Sequence, residues 1–364
     1  MNHSQKTADQ AQMFANRLQK RLRLLKKWAR KTGAGAFRLY DRDIPEIPLV
    51  LDYYGDPSLP TEAALCGALY KRPYEKDETD EDLWLSAMKN AAVLAIGIES
   101  ERVFLKRRQK QRGSSQYEKI DSVRFTKIVN EGGLAFKVNL SDYLDTGLFP
   151  DRRLLRAMIR SEAAGKKVLN LFSYTGSFSV YAAAGGAVST DSVDLSNTYL
   201  SWSRENFSLN GFSANRLDQW EFFSDGKLLS CGSAEARSHC VNRLVRADAL
   251  SFLEKAVALK MRWDIIALDP PSFSNSKKMT DSFDLNRDIA GLLRQCLGLL
   301  FPDGKIFLSV NTRRSSITAS VLEKEIAAEE ANVRITDISD KIIDEDFKGK
   351  KTPKSFLIVN DAAI

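Results

Sequence analysis

The stretch Lys167–Ser196, KVLNLFSYTGSFSVYAAAGGAVSTDSVDLS, decides the fold class of this 364-residue chain. Its apolar run from Val168 to Phe172 is typical of a buried strand, and the small residues that follow it predict a turn. A helix is predicted over Phe178–Ala184, where two glycines end it, and a second strand over Ala187–Val193. The stretch therefore predicts a strand–turn–helix–strand unit of a parallel α/β sheet.

Asp194 directly follows the second strand, at the edge where parallel sheets bind nucleotides. Its carboxylate can accept hydrogen bonds from both hydroxyls of a ribose, each worth about 1.5–3 kcal/mol. Binding a pyrophosphate would need a Gly-x-Gly-x-x-Gly loop, whereas Gly176 is the only glycine of its turn. The unit predicts a pocket for a nucleoside without phosphates, such as S-adenosylmethionine. The alternative is an ordinary βαβ unit with a surface aspartate. The candidate cofactor-binding residues here are Asn170, Phe172, Ser173, Tyr174, Thr175, Gly176, Asp194, Leu195 and Ser196.

Composition excludes several classes of protein. Apolar residues make up 43% of the chain and charged residues 28%, which is ordinary for a globular protein. The amino terminus has no signal-peptide core and no apolar run is long enough to span a membrane, so we expect a cytoplasmic protein. Four widely spaced cysteines and two histidines argue against a metal site, a disulfide framework and histidine-based hydrolysis.

Basic residues concentrate in two N-terminal segments, although the formal net charge is only +7. No acidic residue interrupts the predicted amphipathic helix Gln12–Arg30, and a second basic run extends over Lys106–Arg112. A solvated helix face is the common explanation, but charge without acidic partners favours a polyanion. The candidate contacts are Arg17, Lys20, Arg21, Lys26, Lys27, Arg107, Arg108, Lys110 and Arg112.

Two domains are predicted. Residues 1–150 suggest a small α+β domain that begins with a flexible lead-in over residues 1–10. Residues 151–364 alternate strands with helices, as in a doubly wound, Rossmann-like sheet. Within the second domain a helix is predicted over Asp281–Phe301, and Phe212–Asn242 is an insertion expected to form a hairpin or a loop.

Three acids end successive predicted strands: Asp194, Asp248 and Asp269. Asp248 is placed to accept the adenine amine, with the N–H of Ala249 reaching a ring nitrogen, although it could equally cap the next helix. Asp269 begins a motif that is more specific than the other two acids, because Pro270 and Pro271 stiffen the turn that follows it. Ser272 and Phe273 complete it, and the aromatic ring can stack on a planar base. Rigid acceptors beside an aromatic ring suit a nucleobase held next to a methyl donor.

Nearly the whole chain resembles a known family, the guanine-N7 methyltransferase half of bifunctional bacterial 23S rRNA large-subunit methyltransferases. Six segments carry the resemblance: FANRL at Phe14, FRLYD at Phe37, NLSDYLDTGLF at Asn139, LNLFSYTGS at Leu169, VDLSNTYL at Val193 and DPPSFSNSK at Asp269. The resemblance implies an S-adenosylmethionine-dependent RNA methyltransferase acting on 23S rRNA or a large-subunit precursor, without a metal. It also implies that three residues close over the cofactor, namely Phe149, Asp151 and Arg152. The second methyltransferase module of the family is not in this sequence, so we expect one activity.

Related enzymes methylate carbon 5 of cytosine, which requires a covalent cysteine nucleophile. In those enzymes the thiol lies just past the strand after the Asp-Pro-Pro helix, where this chain has Val310, Asn311 and Thr312. Guanine N7 attacks a sulfonium methyl with its own lone pair, so alignment suffices. Guanine N7 is therefore the expected target. The alternatives are a cytosine-C5 methyltransferase that uses another nucleophile such as Cys296, and a catalytically silent RNA-binding assembly factor.

Overall fold

A computed structural model describes residues 3–70, 77–107, 125–143, 145–224, 240–274, 283–311, 317–326 and 333–360. The chain divides into two compact units. The first comprises Met1–Pro150 and Asp344–Lys350, and the second comprises Asp151–Ile343 and Lys351–Ile364. The short segment 344–350 thus belongs to the first unit, although both of its neighbours along the chain belong to the second.

The first unit packs two helices on a sheet whose strand order is β1-β2-β3-β4. Phe14 and Leu18 of the first helix and Trp84 and Met88 of the second are buried against Phe37 of the sheet. A separate hairpin completes the unit. Its elements are α1 His3–Thr32, β1 Ala36–Asp41, β2 Leu49–Tyr54, β3 Ala64–Leu69, α2 Glu78–Ile96, β4 Val103–Arg107, β5 Thr126–Glu131 and β6 Leu134–Asn139.

The expected flexible lead-in over residues 1–10 is wrong, because helix α1 begins at His3. Two side-chain interactions explain the extension. Gln5 Nε2 donates to Asp9 Oδ1 at 2.9 Å, one helical turn on. Gln10 is buried, and its Oε1 accepts a 2.6 Å hydrogen bond from Trp84 Nε1 of α2. Tertiary packing therefore extends a helix whose sequence is polar at this end.

Segment 344–350 attaches to the first unit through charged groups. The buried carboxylate of Asp43 contacts Lys350 Nζ and lies 2.6 Å from Arg17 Nε. Asp346 accepts a 2.9 Å hydrogen bond from the backbone N–H of Arg38, whose guanidinium stands over the Phe347 ring at 5.1 Å. Burial alone would raise the pKa of Asp43, but the two cations hold it below its ordinary value. The segment is thus fixed by ion pairs as well as by packing.

The second unit contains the predicted doubly wound sheet, with strand order β15-β16-β14-β11-β7-β8-β10-β9. Neighbours from β14 to β9 are parallel, and β16 runs antiparallel to both β14 and β15. Its elements are α3 Arg153–Glu162, β7 Lys167–Leu171, α4 Ser177–Ala184, β8 Ser189–Asp194, α5 Asn197–Leu209, β9 Asn215–Asp218, α6 Gln219–Ser224, β10 Val241–Arg246, α7 Ala249–Ala258, β11 Trp263–Leu268, β12 Phe273–Ser274, β13 Phe283–Asp284, α8 Leu285–Leu297, β14 Leu300–Val310, α9 Ala319–Ile326, β15 Val333–Asp337 and β16 Lys354–Asn360.

The order of the strands reverses at β7. From β7 the chain builds outward through β8 to the β10–β9 edge, and it then returns to place β11 on the opposite side of β7. Ligands bind at such a switch point, outside the carboxyl ends of the strands. Leu171 and Leu268 are register partners at that end, so the loops that follow β7 and β11 start side by side.

A buried ion pair crosses the interior of this sheet. Asp191 of β8 and Arg243 of β10 are register partners, and Nη2 of the arginine lies 3.1 Å from Oδ2 of the aspartate. Trp263 Nε1 donates to the same oxygen at 2.7 Å, and the guanidinium stands over the Phe222 ring at 5.3 Å. Nε of the arginine contacts Oδ1, so both carboxylate oxygens are satisfied, as burial of a charge requires.

Two sequence predictions about the second unit need correction. The insertion Phe212–Asn242 supplies an edge strand parallel to β10 and a short helix where it is described, rather than a hairpin or a loop, and its residues 225–239 lie outside the described residues. The helix predicted over Asp281–Phe301 begins only at Leu285, because Asp284 caps it by accepting hydrogen bonds from Asn286 N and Arg287 N. Residues 281–282 are outside the described part.

Candidate active site

The loop after β7 folds tightly against the sheet edge. Phe172, Tyr174 and Gly176 adopt positive φ angles of 55°, 50° and 73°. A Cβ atom on Gly176 would stand 2.0 Å from Ser203 Oγ, so both the backbone angle and the space require glycine. The buried hydroxyl of Ser173 has no hydrogen-bond partner among the described residues. An unsatisfied buried hydroxyl in a strained loop favours a ligand that supplies the missing partner.

Side chains of helix α5 hold this loop in place. The sequence analysis did not predict this role. Asn206 is fully buried, and its Nδ2 donates to the carbonyl oxygen of Thr175 at 2.9 Å. The ring of Tyr174 meets that of Tyr199 edge-on at 4.5 Å. Tyr199, Ser203 and Asn206 are spaced i, i+4 and i+7, so they lie on one helical face. The regular spacing of these residues on one helical face is the sequence pattern from which their role could have been predicted.

Asp194 lies at the end of β8, where the sequence predicted it. Its Oδ2 accepts a 2.9 Å hydrogen bond from Tyr174 N, and its Oδ1 accepts one of 2.8 Å from Ser196 N. Burial raises the pKa of Asp194 to about 6, and the backbone N–H groups only partly offset this. The N–H of Leu195 also acts on this group, but a carboxylate has about four acceptor positions, so acceptor capacity remains. The group has no ion-pair partner within the described ranges, which suits hydroxyl donors of a ligand.

Three further predicted cofactor residues support the pocket rather than open into it. Asn170 is buried in β7, and its Nδ2 donates to Ser179 Oγ of α4 at 2.9 Å. Ser196 caps α5, since its Oγ accepts from Tyr199 N at 3.3 Å. The Phe172 ring packs on Phe283 with the centroids 5.9 Å apart. The structure thus gives these side chains intramolecular contacts, while Leu195 lies between Asp194 and the cap.

Asp248 caps helix α7. Its Oδ1 accepts a 3.1 Å hydrogen bond from Ser251 N, so the capping alternative is confirmed. The ends of β8 and β10 also meet here, because Ala247 N donates to Asp194 O at 3.2 Å. Capping uses one carboxylate oxygen and leaves the other available. The adjacent residue Ala249 is buried as the first residue of the helix.

Asp269 is held by Arg152, a pairing that the sequence did not predict. Nε and Nη2 of the buried arginine lie 3.1 and 3.0 Å from the two carboxylate oxygens, and Nη1 lies 2.7 Å from Asp151 Oδ2. Burial opposes the charge on Arg152, but the two aspartates more than offset this and raise its pKa above the ordinary value. Both oxygens of Asp269 are therefore engaged within the protein, and the residue anchors its loop.

The rest of the Asp-Pro-Pro-Ser-Phe segment is fixed at its far end. Ser272 Oγ donates to Asn311 O at 2.8 Å, and Ser272 O accepts from Leu285 N at 3.2 Å. Phe273 pairs through its backbone with Asp284 in the β12–β13 ribbon. Its ring nevertheless stays 53% exposed. Pro270 and Pro271 join the two fixed ends, so the segment presents an aromatic face from a rigid backbone.

Several predicted residues belong to the first unit. Phe149 belongs to the first unit and is 37% exposed. The expectation that the basic helix lacks acidic partners is wrong for Arg17, which pairs with Asp43. Arg107 pairs with Asp82, and Arg21 donates to a backbone carbonyl. Lys20 and Lys27 are exposed and Lys26 is half-buried, whereas Arg108, Lys110 and Arg112 lie outside the described residues.

Within the described ranges, no group of three or more histidine, cysteine, aspartate or glutamate side chains could hold a metal ion. Over the same ranges, none of the helices is long and apolar enough to cross a membrane.

Comparison with known proteins identifies the family. The S-adenosylmethionine-dependent methyltransferase family matches residues 62–262. The chain belongs to this family. Its donor is therefore S-adenosylmethionine, and the strained loop, the unsatisfied Ser173 hydroxyl and the acceptor positions of Asp194 fit such a ligand.

Curated relatives and solved structures agree. The chain is 41% identical to the ribosomal RNA large subunit methyltransferase K of Neisseria meningitidis serogroup B, over 93% of this chain and 84% of the relative. It is 40% identical to a ribosomal RNA large subunit methyltransferase K/L of a Shewanella species, but it spans only 43% of that protein. A methyltransferase crystallised with SAH superposes with a TM-score of 0.66 at 25% identity, covering 96% of this chain and 81% of the other. A Streptococcus mutans protein at 24% identity and a TM-score of 0.65, with the same coverage, shares the fold.

Proposed function

We propose that this protein methylates guanine N7 in 23S rRNA of the large ribosomal subunit or its precursor. The observation that carries the proposal is the rigid segment Asp269–Phe273, whose exposed aromatic ring follows the strand next to the donor loop. The names of the relatives, ribosomal RNA large subunit methyltransferases, support this class of substrate.

Three residues would hold the cofactor, which supplies a methyl group on a positively charged sulfur. Asp194 accepts the ribose hydroxyls, and the second oxygen of Asp248 accepts the adenine amine. Ser173 offers its buried hydroxyl to the methionine portion. These groups fix the donor without chemistry of their own, so catalysis by this chain is largely alignment.

Phe273 is positioned to stack on the target base, a contact worth about 1–3 kcal/mol. Arg152 and Asp269 keep the loop in one conformation through two parallel hydrogen bonds. The backbone carbonyls of the Pro270–Pro271 turn then meet the base in a fixed orientation. A base with donors on its Watson–Crick edge, as guanine has, matches carbonyl acceptors and leaves N7 directed away from them.

The positions of the cysteines favour direct attack of the base on the methyl group over a covalent intermediate between the base and a cysteine. Cys296 is fully buried in α8, and burial raises the pKa of its thiol well above the ordinary range. Cys240 precedes β10, at the edge opposite the pocket, and burial raises its pKa to about 12. Cys66 belongs to the other unit. None of these thiols, among the described residues, has the low pKa and the access that a nucleophile needs.

Identification of the product tests the proposal. The purified protein would be incubated with methyl-labelled S-adenosylmethionine and large-subunit rRNA from cells that lack the gene. Nucleoside analysis should show 7-methylguanosine, and chemical cleavage at that base should map a single position. Formation of 5-methylcytidine, with loss of activity in Cys296→Ser, would instead support the cytosine-C5 alternative.

A further inference from the structure

Helix α1 presents one basic face that the fold leaves exposed. Lys20, Arg23 and Lys27 are all exposed, and Leu24 beside them is 61% exposed. At 100° per residue these four side chains fall within about one third of the helix circumference. The first and last of the three cations are about 10 Å apart along the axis. They form a compact row, which we call the α1 basic face (Lys20, Arg23, Lys27).

The orientation of this face is fixed. Phe14, Leu18, Leu25 and Ala29 are buried on the other side of the helix, in the core of the first unit. An amphipathic helix binds a membrane by inserting its apolar face, and here that face is already occupied. The basic face is therefore available for an electrostatic partner, whereas the apolar face is not available to lipid.

Other basic residues of α1 have structural roles that explain their presence. These roles do not apply to the α1 basic face. Arg17 pairs with Asp43, and Arg21 donates to Asp346 O. Arg30 and Lys31 lie in the last turn, where cations stabilise the helix dipole. Residues 10–40 contain no acid, and none of the three face residues has an ion-pair partner among the described side chains. Like charges three and four residues apart destabilise a helix, so this arrangement costs stability within the protein.

We propose that the α1 basic face binds the phosphate backbone of the rRNA substrate and supplies affinity rather than base recognition. The proposal rests on the proposed function and deepens it by selecting which basic residues contact RNA. Three cations in a row neutralise phosphates and release counterions, which makes binding salt-dependent. Leu24 beside them gives an apolar contact for a sugar or an unstacked base.

A charge-reversal experiment tests the proposal in the full chain. One variant combines Lys20→Glu, Arg23→Glu and Lys27→Glu. The matched control combines Lys255→Glu, Lys260→Glu and Lys324→Glu, three exposed lysines of the other unit. Both triple variants change the formal net charge equally. Affinity for large-subunit rRNA would be measured between 50 and 300 mM salt (on the order of the range where counterion release dominates), together with thermal unfolding and S-adenosylmethionine binding.

The α1 variant should bind RNA at least about 10-fold more weakly, and the slope of log affinity against log salt should fall by about 2 to 3. The control should keep the wild-type slope, and saturating RNA should still yield the wild-type product from the α1 variant. An unchanged slope in the α1 variant, or an equal loss in both variants, would overturn the proposal and leave the proposed function standing. Wild-type protein that neither binds nor methylates rRNA would overturn the proposed function as well. Wild-type binding to anionic vesicles, lost in the α1 variant while RNA affinity stays unchanged, would assign the face to a membrane surface instead.

Discussion

Arg152 and Asp269 are separated by 117 positions in the sequence, yet two parallel hydrogen bonds of 3.0 and 3.1 Å join their side chains. One residue immediately precedes the first helix of the second unit, and the other follows β11. The pair therefore ties the start of that unit to the loop that carries Phe273. Removing the charge of Asp269 tests the role of this pair.

Asp269→Asn should reduce the free energy of unfolding by about 3–5 kcal/mol, because it leaves a buried guanidinium with one fewer countercharge. Methyl transfer should fall with it, since the loop loses its anchor. Chemical denaturation and single-turnover assays measure the two effects. Glu345→Gln is the control, because the Lys348–Glu345 pair is exposed and worth at most about 1 kcal/mol. Equal stability losses in the two variants would contradict the assigned role of the buried pair.

Asp194→Ala should weaken S-adenosylmethionine binding at least about 100-fold, because two charge-assisted hydrogen bonds disappear. Isothermal titration calorimetry measures this directly. Asp337→Ala is a matched control, since Asp337 also ends a strand of the same sheet and accepts hydrogen bonds from the Ser339 N–H and hydroxyl. Unchanged affinity in Asp194→Ala would remove this residue from the ribose site.

The pKa of about 6 at Asp194 predicts opposite pH responses of binding and of stability. Ligand affinity should fall as pH drops through 6, because the protonated acid is a poorer acceptor. The folded-state pKa is raised above its ordinary value of 3.8, so the group's stabilising contribution is complete below pH 4 and is lost as pH rises through 6. The ligand-free protein should thus lose about 3 kcal/mol from this group between those limits. Urea unfolding of wild type and Asp194→Ala across pH 4–7.5 (about two units around the pKa) isolates the effect, and a pH-independent difference would contradict it.

Gly176→Ala should abolish cofactor binding and destabilise the protein, because the added methyl group would meet Ser203 Oγ at 2.0 Å. Gly211→Ala separates this clash from backbone strain. Gly211 has a similar φ of 76°, but a Cβ there meets nothing within 4 Å. Only the strain cost of about 1–2 kcal/mol is expected in that control. Thermal unfolding and calorimetry with S-adenosylmethionine should show a larger loss for Gly176→Ala in both measurements.

Capping and binding at Asp248 can be separated by Asp248→Ser. Serine caps a helix about as well as aspartate, so stability should change by only a few tenths of a kcal/mol. Cofactor affinity should nevertheless fall, because the second acceptor oxygen is lost. Asp284→Ser makes the same replacement at the cap of α8, where Asp284 accepts from two backbone N–H groups. Affinity that is equal in both variants would leave Asp248 with capping alone.

Local pattern was sufficient to predict the core of the second unit. The strand–turn–helix–strand stretch and the acid at the end of β8 follow from residues close together in sequence, and the structure places them as expected. The sheet of the α/β fold is confirmed with them. By contrast, strand β3 went unpredicted, because Ala64–Leu69 is buried along its length and shows neither alternation nor β-branched residues.

Contacts between side chains far apart in the sequence could not be predicted from it. Asp43 neutralises Arg17 from outside the helix, so an acid-free run did not mean an unpaired one. Asn206 acts on the loop at Thr175 from a separate helix. In both cases the residue types are ordinary, and only the tertiary fold determines which groups meet. The positions of the candidate cofactor residues on the strands and loops were therefore easier to predict than the side chains that hold those loops in place.

The position of segment 344–350 in the chain affects when the first unit can fold during synthesis. The first unit buries Asp346 and Phe347, which are translated some two hundred residues after Pro150. During synthesis that unit cannot complete its packing until segment 344–350 has also left the ribosome. A fragment ending at Pro150 would lack both the buried ring and the lysine that contacts Asp43. The first unit is thus translated before most of the second, yet it needs a segment from near the end of the second to finish folding.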